Sequence, residues 1–155
     1  MYPIKILAVG GIKSDYFREA IAEYSKRLKP LAKLEIVELE PEPFTDDRQK
    51  AQSVRLEERR VMEYLENHRQ DEVILLDKSG EQLSSEQLAK RLEAIARPIV
   101  FVIGGTLGFG QELLSVAHKK LSLSKLTLTH EMARLLLLEQ VYRSATIIKN
   151  IKYHY

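Results

Sequence analysis

Five consecutive apolar residues, Ile99-Val100-Phe101-Val102-Ile103, stand immediately before a cluster of four glycines at positions 104, 105, 108 and 110. Five residues are too few for a stable helix, and β-branched and aromatic side chains suit a pleated strand. With no polar residue at alternate positions, both faces of this strand must be covered. That is the situation of an interior strand in a parallel sheet with helices on either side.

The rest of the chain fits that frame. Ile4–Val9 reads as a strand closed by Gly10-Gly11. Behind Ser14, a possible cap, Phe17, Ala20, Ile21, Tyr24 and Leu28 recur at helical spacing until Pro30. Leu34–Leu39 is a second strand, ended by Pro41-Glu42-Pro43. The charged stretch Asp46–His68, with only Val54, Val61, Met62 and Leu65 as an apolar side, is expected to be a long, mostly solvated helix. Val73–Leu76 is a third strand, stopped by Asp77 and a Ser79-Gly80 turn. Ser84 and Gln87 form a capping box for a helix built on Leu88, Leu92 and Ile95. After the glycines come a short helix, Gln111–His118, and a fifth strand, Ser124–Leu128. Thr129 then caps a last helix over Glu131–Ile148. Alternating strands and helices predict an α/β fold with a mostly parallel sheet flanked by helices, in a single domain over 1–155.

Composition narrows the function. The 155 residues include no cysteine, which excludes disulfides, thiolate metal sites and cysteine nucleophiles. The four histidines have no metal-ligand spacing, so no metal is expected. Lys and Arg number 24 against 22 Asp and Glu, a net charge of +2, too little excess for strong binding to naked nucleic acid. Lys5 interrupts the apolar N-terminal stretch, which reads as a strand and not a signal peptide. Leu135–Ile148 contains Glu139, Gln140 and Arg143, so no membrane span is expected and the location expected is cytoplasmic. This final helix is apolar nearly all round, which in so small a chain predicts burial against a second copy, a homodimer.

Three features could carry chemistry. The glycine loop lies beyond the carboxyl end of a buried strand, where open α/β sheets bind ligands. It is either a ligand cradle or a tight turn, but matches neither the dinucleotide nor the phosphate-loop pattern. Leu121–His130 alternates small polar and apolar residues, as a half-buried strand would, or as a backbone-lined slot for an adenine ring. Glu139 and Arg143, four apart on the last helix, form an internal ion pair or place Arg143 toward an anionic substrate. Tyr153 and His154, beside Lys149 and Lys152, suit stacking on a nucleobase near phosphate.

The segments KILAVGGIK, VILLDKSG, FVIGGTLGFG, LSLSKLTLTHEMARLLLLEQVYRSATII and the closing YHY occur in that order. Together they resemble the ribosomal RNA large subunit methyltransferase H family, within the SPOUT (α/β-knot) methyltransferases. The resemblance covers essentially the whole chain. It implies methylation of N3 of a pseudouridine in large-subunit rRNA on the assembled ribosome, with S-adenosylmethionine as cofactor. It also implies a homodimer and a C-terminal trefoil knot. By this resemblance Leu76, Gly104, Gly105 and Gly108 line the cofactor pocket, and Leu123, Ser124, Lys125, Leu126, Thr127 and Leu128 wrap the adenosyl part. Arg143, Tyr153 and His154 are the candidate catalytic residues, near the substrate base. Three rivals stay open: a noncatalytic ribosome-binding protein of the same fold, a SPOUT methyltransferase acting on tRNA, and, more weakly, a nucleotide-binding α/β protein.

Overall fold

The computed structural model describes residues 1–153. Five strands, β1 (Ile4–Val9), β2 (Leu34–Leu39), β3 (Glu72–Glu81), β4 (Ile99–Ile103) and β5 (Lys119–Leu121), form one sheet in the order β2-β1-β4-β3-β5. All four neighbouring pairs are parallel. The helices are α1 (Asp15–Leu28), α2 (Lys50–Glu66), α3 (Ser85–Ala94), α4 (Gln111–Val116) and α5 (His130–Ile148).

Register places the core. Ile6, Phe101 and Ile74 are cross-strand partners on one face, packed with Ile21 and Leu28 of α1, Leu88 and Leu92 of α3, and Leu137 and Leu138 of α5. Leu7, Val102 and Leu75 are partners on the other face, packed with Val61 of α2 and Leu113 of α4. Every residue of β4 is buried. Each such side chain contributes about 1.5–3 kcal/mol over leaving it in water.

Four expectations need correction. Strand β3 runs on through Asp77, Ser79 and Gly80 to Glu81. Beyond Leu76 the pairing with β5 shifts register, and Leu121 faces both Leu76 and Glu81. A Cβ on Gly80 would come within 2.7 Å of Leu121 backbone, so the glycine there serves close strand approach. The fifth strand is Lys119–Leu121, not Ser124–Leu128. In that later segment Ser122 Oγ donates to Ser124 O at 2.9 Å and Ser124 Oγ accepts from Leu126 N at 3.0 Å. These hydroxyls satisfy the local backbone in place of a sheet ladder. Helix α2 starts at Lys50 and buries Ser53, Glu57 and Glu58 beside Val61. His68, the last residue of the stretch expected to be mostly solvated, is half-buried and stacks on Tyr64 with centroids 4.3 Å apart.

The caps follow the sequence more closely. Ser84 and Gln87 make the reciprocal capping box, and Thr129 Oγ1 accepts from Met132 N at 3.2 Å. Ser14 occupies the N-cap of α1, but its hydroxyl turns to Glu131 at 3.2 Å. Among the described residues, no helix is long and apolar enough to cross a membrane, and no group of three or more His, Asp or Glu is placed to hold a metal.

At the amino ends of the strands, buried Glu72 of β3 receives Lys119 Nζ of β5 at 2.8 Å and the Arg97 guanidinium before β4. Burial alone would raise the Glu72 carboxyl, but hydrogen bonds from Lys119 and Arg97 outweigh it and hold the group below the usual carboxylate range. A folded-state value below the unfolded one means stabilisation that is complete above the ordinary Glu range. It is lost as pH falls through the folded value. Glu72→Gln is expected to lower the thermal midpoint near pH 7. The gap from the parent should close as melts are repeated from about pH 7 down to about pH 3.

Candidate functional site

The carboxyl ends of β4 and β5, with residues 76–78 of β3 between them, open into a cavity of about 830 Å³. That lies within the range of small-molecule sites, about 300–1,000 Å³. Its walls are Leu76, Asp77 and Lys78 of β3, the glycine loop from Gly104 to Phe109, and the segment between β5 and α5. Leu76, Leu121, Leu123, Leu126 and Leu128 supply apolar surface, while Asp77, Lys78 and Glu131 bring both signs of charge to the lining.

Nine of the ten residues expected to hold a cofactor meet here. They are Leu76, Gly104, Gly105, Gly108, Leu123, Ser124, Leu126, Thr127 and Leu128. Lys125 does not line the cavity and is exposed. Its neighbour Leu126 lines the cavity yet is 75% exposed, so it stands at an open edge.

The loop's geometry explains its glycines. Gly108 sits at φ +75°, and its N–H donates to Gly105 O at 3.0 Å, closing a tight turn. A Cβ on Gly104 would come to 3.1 Å from the Phe109 ring and 3.2 Å from Gly108 backbone. Beneath the loop, α2 brings two buried carboxylates. Glu57 Oε1 accepts from Glu42 N at 3.0 Å, and Glu58 Oε2 accepts from Leu113 N at 3.0 Å. Burial raises the Glu57 carboxyl above its ordinary range, with the Glu42 N–H and Arg60 opposing.

A second set of contacts, absent from the sequence reading, fixes the start of α5. Arg134 is 2% exposed; its Nη2 donates to Gly10 O at 2.7 Å and its Nη1 pairs with Glu38. Glu131 Oε1 accepts from Lys13 N at 2.5 Å, and His130 Nε2 lies 3.2 Å from Gly11 O. Three residues of the first turns of α5 thereby hold the loop after β1. The only available signal was an arginine among leucines, which reads equally well as a surface residue.

Arg143 lies at the far end of α5, ten residues beyond Ala133 of the cavity wall and about 15 Å along the axis. Arg143 Nη2 donates to Glu139 Oε1 at 2.5 Å, and its guanidinium lies 4.8 Å from the Tyr153 ring centroid. Of the two readings left open for these residues, the internal ion pair is the one formed within this chain. The Glu139 hydrogen bond raises the Arg143 guanidinium further above its ordinary value. Tyr153 donates to Glu139 Oε1 at 3.2 Å, lies 3.4 Å from the Tyr24 hydroxyl and meets Tyr142 edge-on. Burial first, then Tyr24 and Glu139, push its phenol well above the ordinary range, so it stays protonated at neutral pH. Within one chain, Arg143 and Tyr153 are together but apart from the cavity. His154 lies outside the described residues.

A family profile described as "Predicted SPOUT methyltransferase" matches residues 2–154. The ribosomal RNA large subunit methyltransferase H of Ruminiclostridium cellulolyticum is 41% identical, over 97% of this chain and 98% of its own length. Its counterpart from Acetivibrio thermocellus is 42% identical over the same shares. Among solved structures, a tRNA methyltransferase from Aquifex aeolicus superposes with a TM-score of 0.52 at 16% identity, covering 91% of this chain and 69% of that one. The last likeness is one of fold.

The turn at Gly108 has a simple test. A Cβ there would meet nothing within 4 Å, so only the positive φ resists a side chain. Gly108→Ala is expected to cost about 1–2 kcal/mol, and Gly108→Asn less, because Asn tolerates this conformation. Denaturant unfolding of the two variants beside the parent checks the order.

Proposed function

The chain belongs to the SPOUT methyltransferases, among the ribosomal RNA large subunit methyltransferase H proteins, and from that membership we propose that it methylates N3 of a pseudouridine in large-subunit rRNA. S-adenosylmethionine is the methyl donor and the assembled ribosome, in the cytoplasm, the substrate. The observation that carries this reading is the cavity itself, formed by the glycine loop and the 123–128 segment at the strand ends.

The lining suits that cofactor. Leucines at 76, 121, 123, 126 and 128 offer apolar faces for an adenine ring, with Ser124 and Thr127 among them. At Gly104 and Gly105 the space a Cβ would take is filled by Phe109, Gly108 and Glu57, so glycine lets the loop pack tightly at the cavity wall. Asp77 and Glu131 match a cation, and Lys78 a carboxylate. When bound, S-adenosylmethionine brings an electrophilic methyl group on its sulfonium.

The chain's work is then positioning and proton removal. The walls orient the base so that N3 faces the methyl in line. In this proposal His154 takes the N3 proton, or positions the base for its loss. Arg143 stabilises negative charge developing on the base. Tyr153, protonated, acts as donor and holds the tail against α5.

Since Arg143 and Tyr153 stand far from the cavity of their own chain, the reading includes a homodimer in which one copy's tail completes the other's cleft. Exposed Met132 and Leu136 of α5 support such a contact. The knotted crossing of the C-terminal helix belongs to the same proposal. With a net charge of only +2, shape and presentation by the folded ribosome supply what electrostatics does not.

Labelled methyl from S-adenosylmethionine is expected to enter large-subunit rRNA of ribosomes from a strain lacking this chain, and neither tRNA nor free rRNA. Label in tRNA alone would establish the tRNA rival, and no label with no cofactor binding the noncatalytic one. Subunit mixing tests the shared site. A cleft variant, Gly105→Leu, and a tail variant, Arg143→Ala, are each expected to be nearly inactive. Mixed and re-equilibrated, they should recover about a quarter of parental activity by dimer statistics; no recovery would place the whole site in one chain.

A further inference from the structure

Glu57 and Glu58 are consecutive on α2, and each is only 7% exposed. Neither lines the cavity, yet their carboxylates lie against the two ends of the glycine loop. Glu57 Oε2 is buried without a hydrogen-bond partner, at a point 2.8 Å from where a Cβ on Gly105 would stand. Glu58 Oε2 would be 2.4 Å from a Cβ on Gly110. The same oxygen accepts from Leu113 N, in the first turn of α4. That helix has Gly110 at its N-cap and no side-chain cap of its own. Glu58 therefore caps α4 from another element, with negative charge at the end of the helix that favours it.

Arg60, one turn further along α2, extends this support. It donates to Glu40 O at 2.9 Å and Glu42 Oε2 at 2.6 Å, while Glu42 N donates to Glu57. The segment after β2, helix α2 and the start of α4 are thus joined by hydrogen bonds, and the glycine loop meets the two carboxylates by close contact. A buried carboxylate oxygen left without a partner is costly. Leucines would fill such space without that cost. Carboxylates here instead require glycine at 105 and 110, because any side chain would collide with them.

We propose that Glu57 and Glu58 are positioning residues for the methyl donor: they set the two ends of the glycine loop from outside the cavity, so that cofactor affinity depends on α2. This rests on the reading of the cavity as the S-adenosylmethionine site.

The test uses the full chain, with calorimetric titration of S-adenosylmethionine and a thermal melt of every sample. Glu57→Gln and Glu58→Gln keep shape and remove charge. Each is expected to remain folded at the titration temperature and to weaken Kd by about five- to tenfold. In methyl transfer, KM for the cofactor should rise by a similar factor, with kcat and KM for ribosomes nearly unchanged. Gly110→Ala alone should also weaken binding, since its methyl group displaces Glu58. In a Glu58→Ala background the same change should cost less than half as much, the signature of coupled residues.

Unchanged affinity in both Gln variants overturns the proposal. So do Gly110→Ala and Glu58→Ala effects that multiply independently. Gly110→Ala retains both glutamates, so unchanged affinity in that variant overturns it even where a Gln variant fails to fold. Failure of the parent chain to bind S-adenosylmethionine overturns the proposed function, and this inference with it.

Discussion

The burial of β4 on both faces is the constraint from which the cavity follows. Ile99, Phe101 and Ile103 face α1, α3 and α5, and Val100 and Val102 face α2 and α4. Slipping this strand by one residue would exchange the two sets, pressing each against helices shaped for the other. Register with β1 and β3 is therefore set, and with it the height at which each strand ends. Leu76 is the cross-strand partner of both Ile103 and Leu121 at that level; β4 and β5 end there, while β3 runs on to Glu81. The glycine loop and the segment after β5 meet because β4 and β5 end at the same level on either side of β3.

On this apolar frame sit a few buried polar contacts. Arg134 binds the carbonyl at the end of β1, and Glu131 and His130 hold the loop that follows. Across the sheet, Glu58 caps α4 and Glu57 lies under Gly105. Such groups add little net stability, because desolvation offsets most of their attraction. They are directional, however, and an unsatisfied one is costly, so they select among packings that apolar contacts alone would leave nearly equal. Around this cavity they attach to backbone, which is what the placement of a loop requires.

Legibility along the chain tracks how local each signal is. Strands β1, β2 and β4 and the capping box of α3 agree with the sequence reading residue by residue, since each rests on a contiguous run or a fixed spacing. Nine of the ten expected cofactor residues line one cavity, while Lys125, in the same segment, turns to solvent. The fifth strand was misread because alternating Ser and Leu imitates strand periodicity, whereas the serine hydroxyls of residues 122 and 124 bond their own backbone. The buried face of α2 was illegible for the opposite reason. Glutamate is among the residues least often buried, and nothing local announces that Gly105 and Gly110 will stand beside positions 57 and 58.

By itself the sequence determined the fold class, the sheet's interior strand and the glycine loop beyond it, because apolar runs, periodicity and glycine spacing act over a few residues. The resemblance of its motifs determined the family. Tertiary structure alone decided which carboxylates are buried and where Arg134 bonds. It also decided that Arg143 and Tyr153 pack together at the far end of α5 from the cavity. Those outcomes depend on contacts between residues distant in the chain, such as Gly10 with Arg134 and Glu58 with Leu113. Such pairings arise only when the helices dock on the sheet, and no local pattern encodes them.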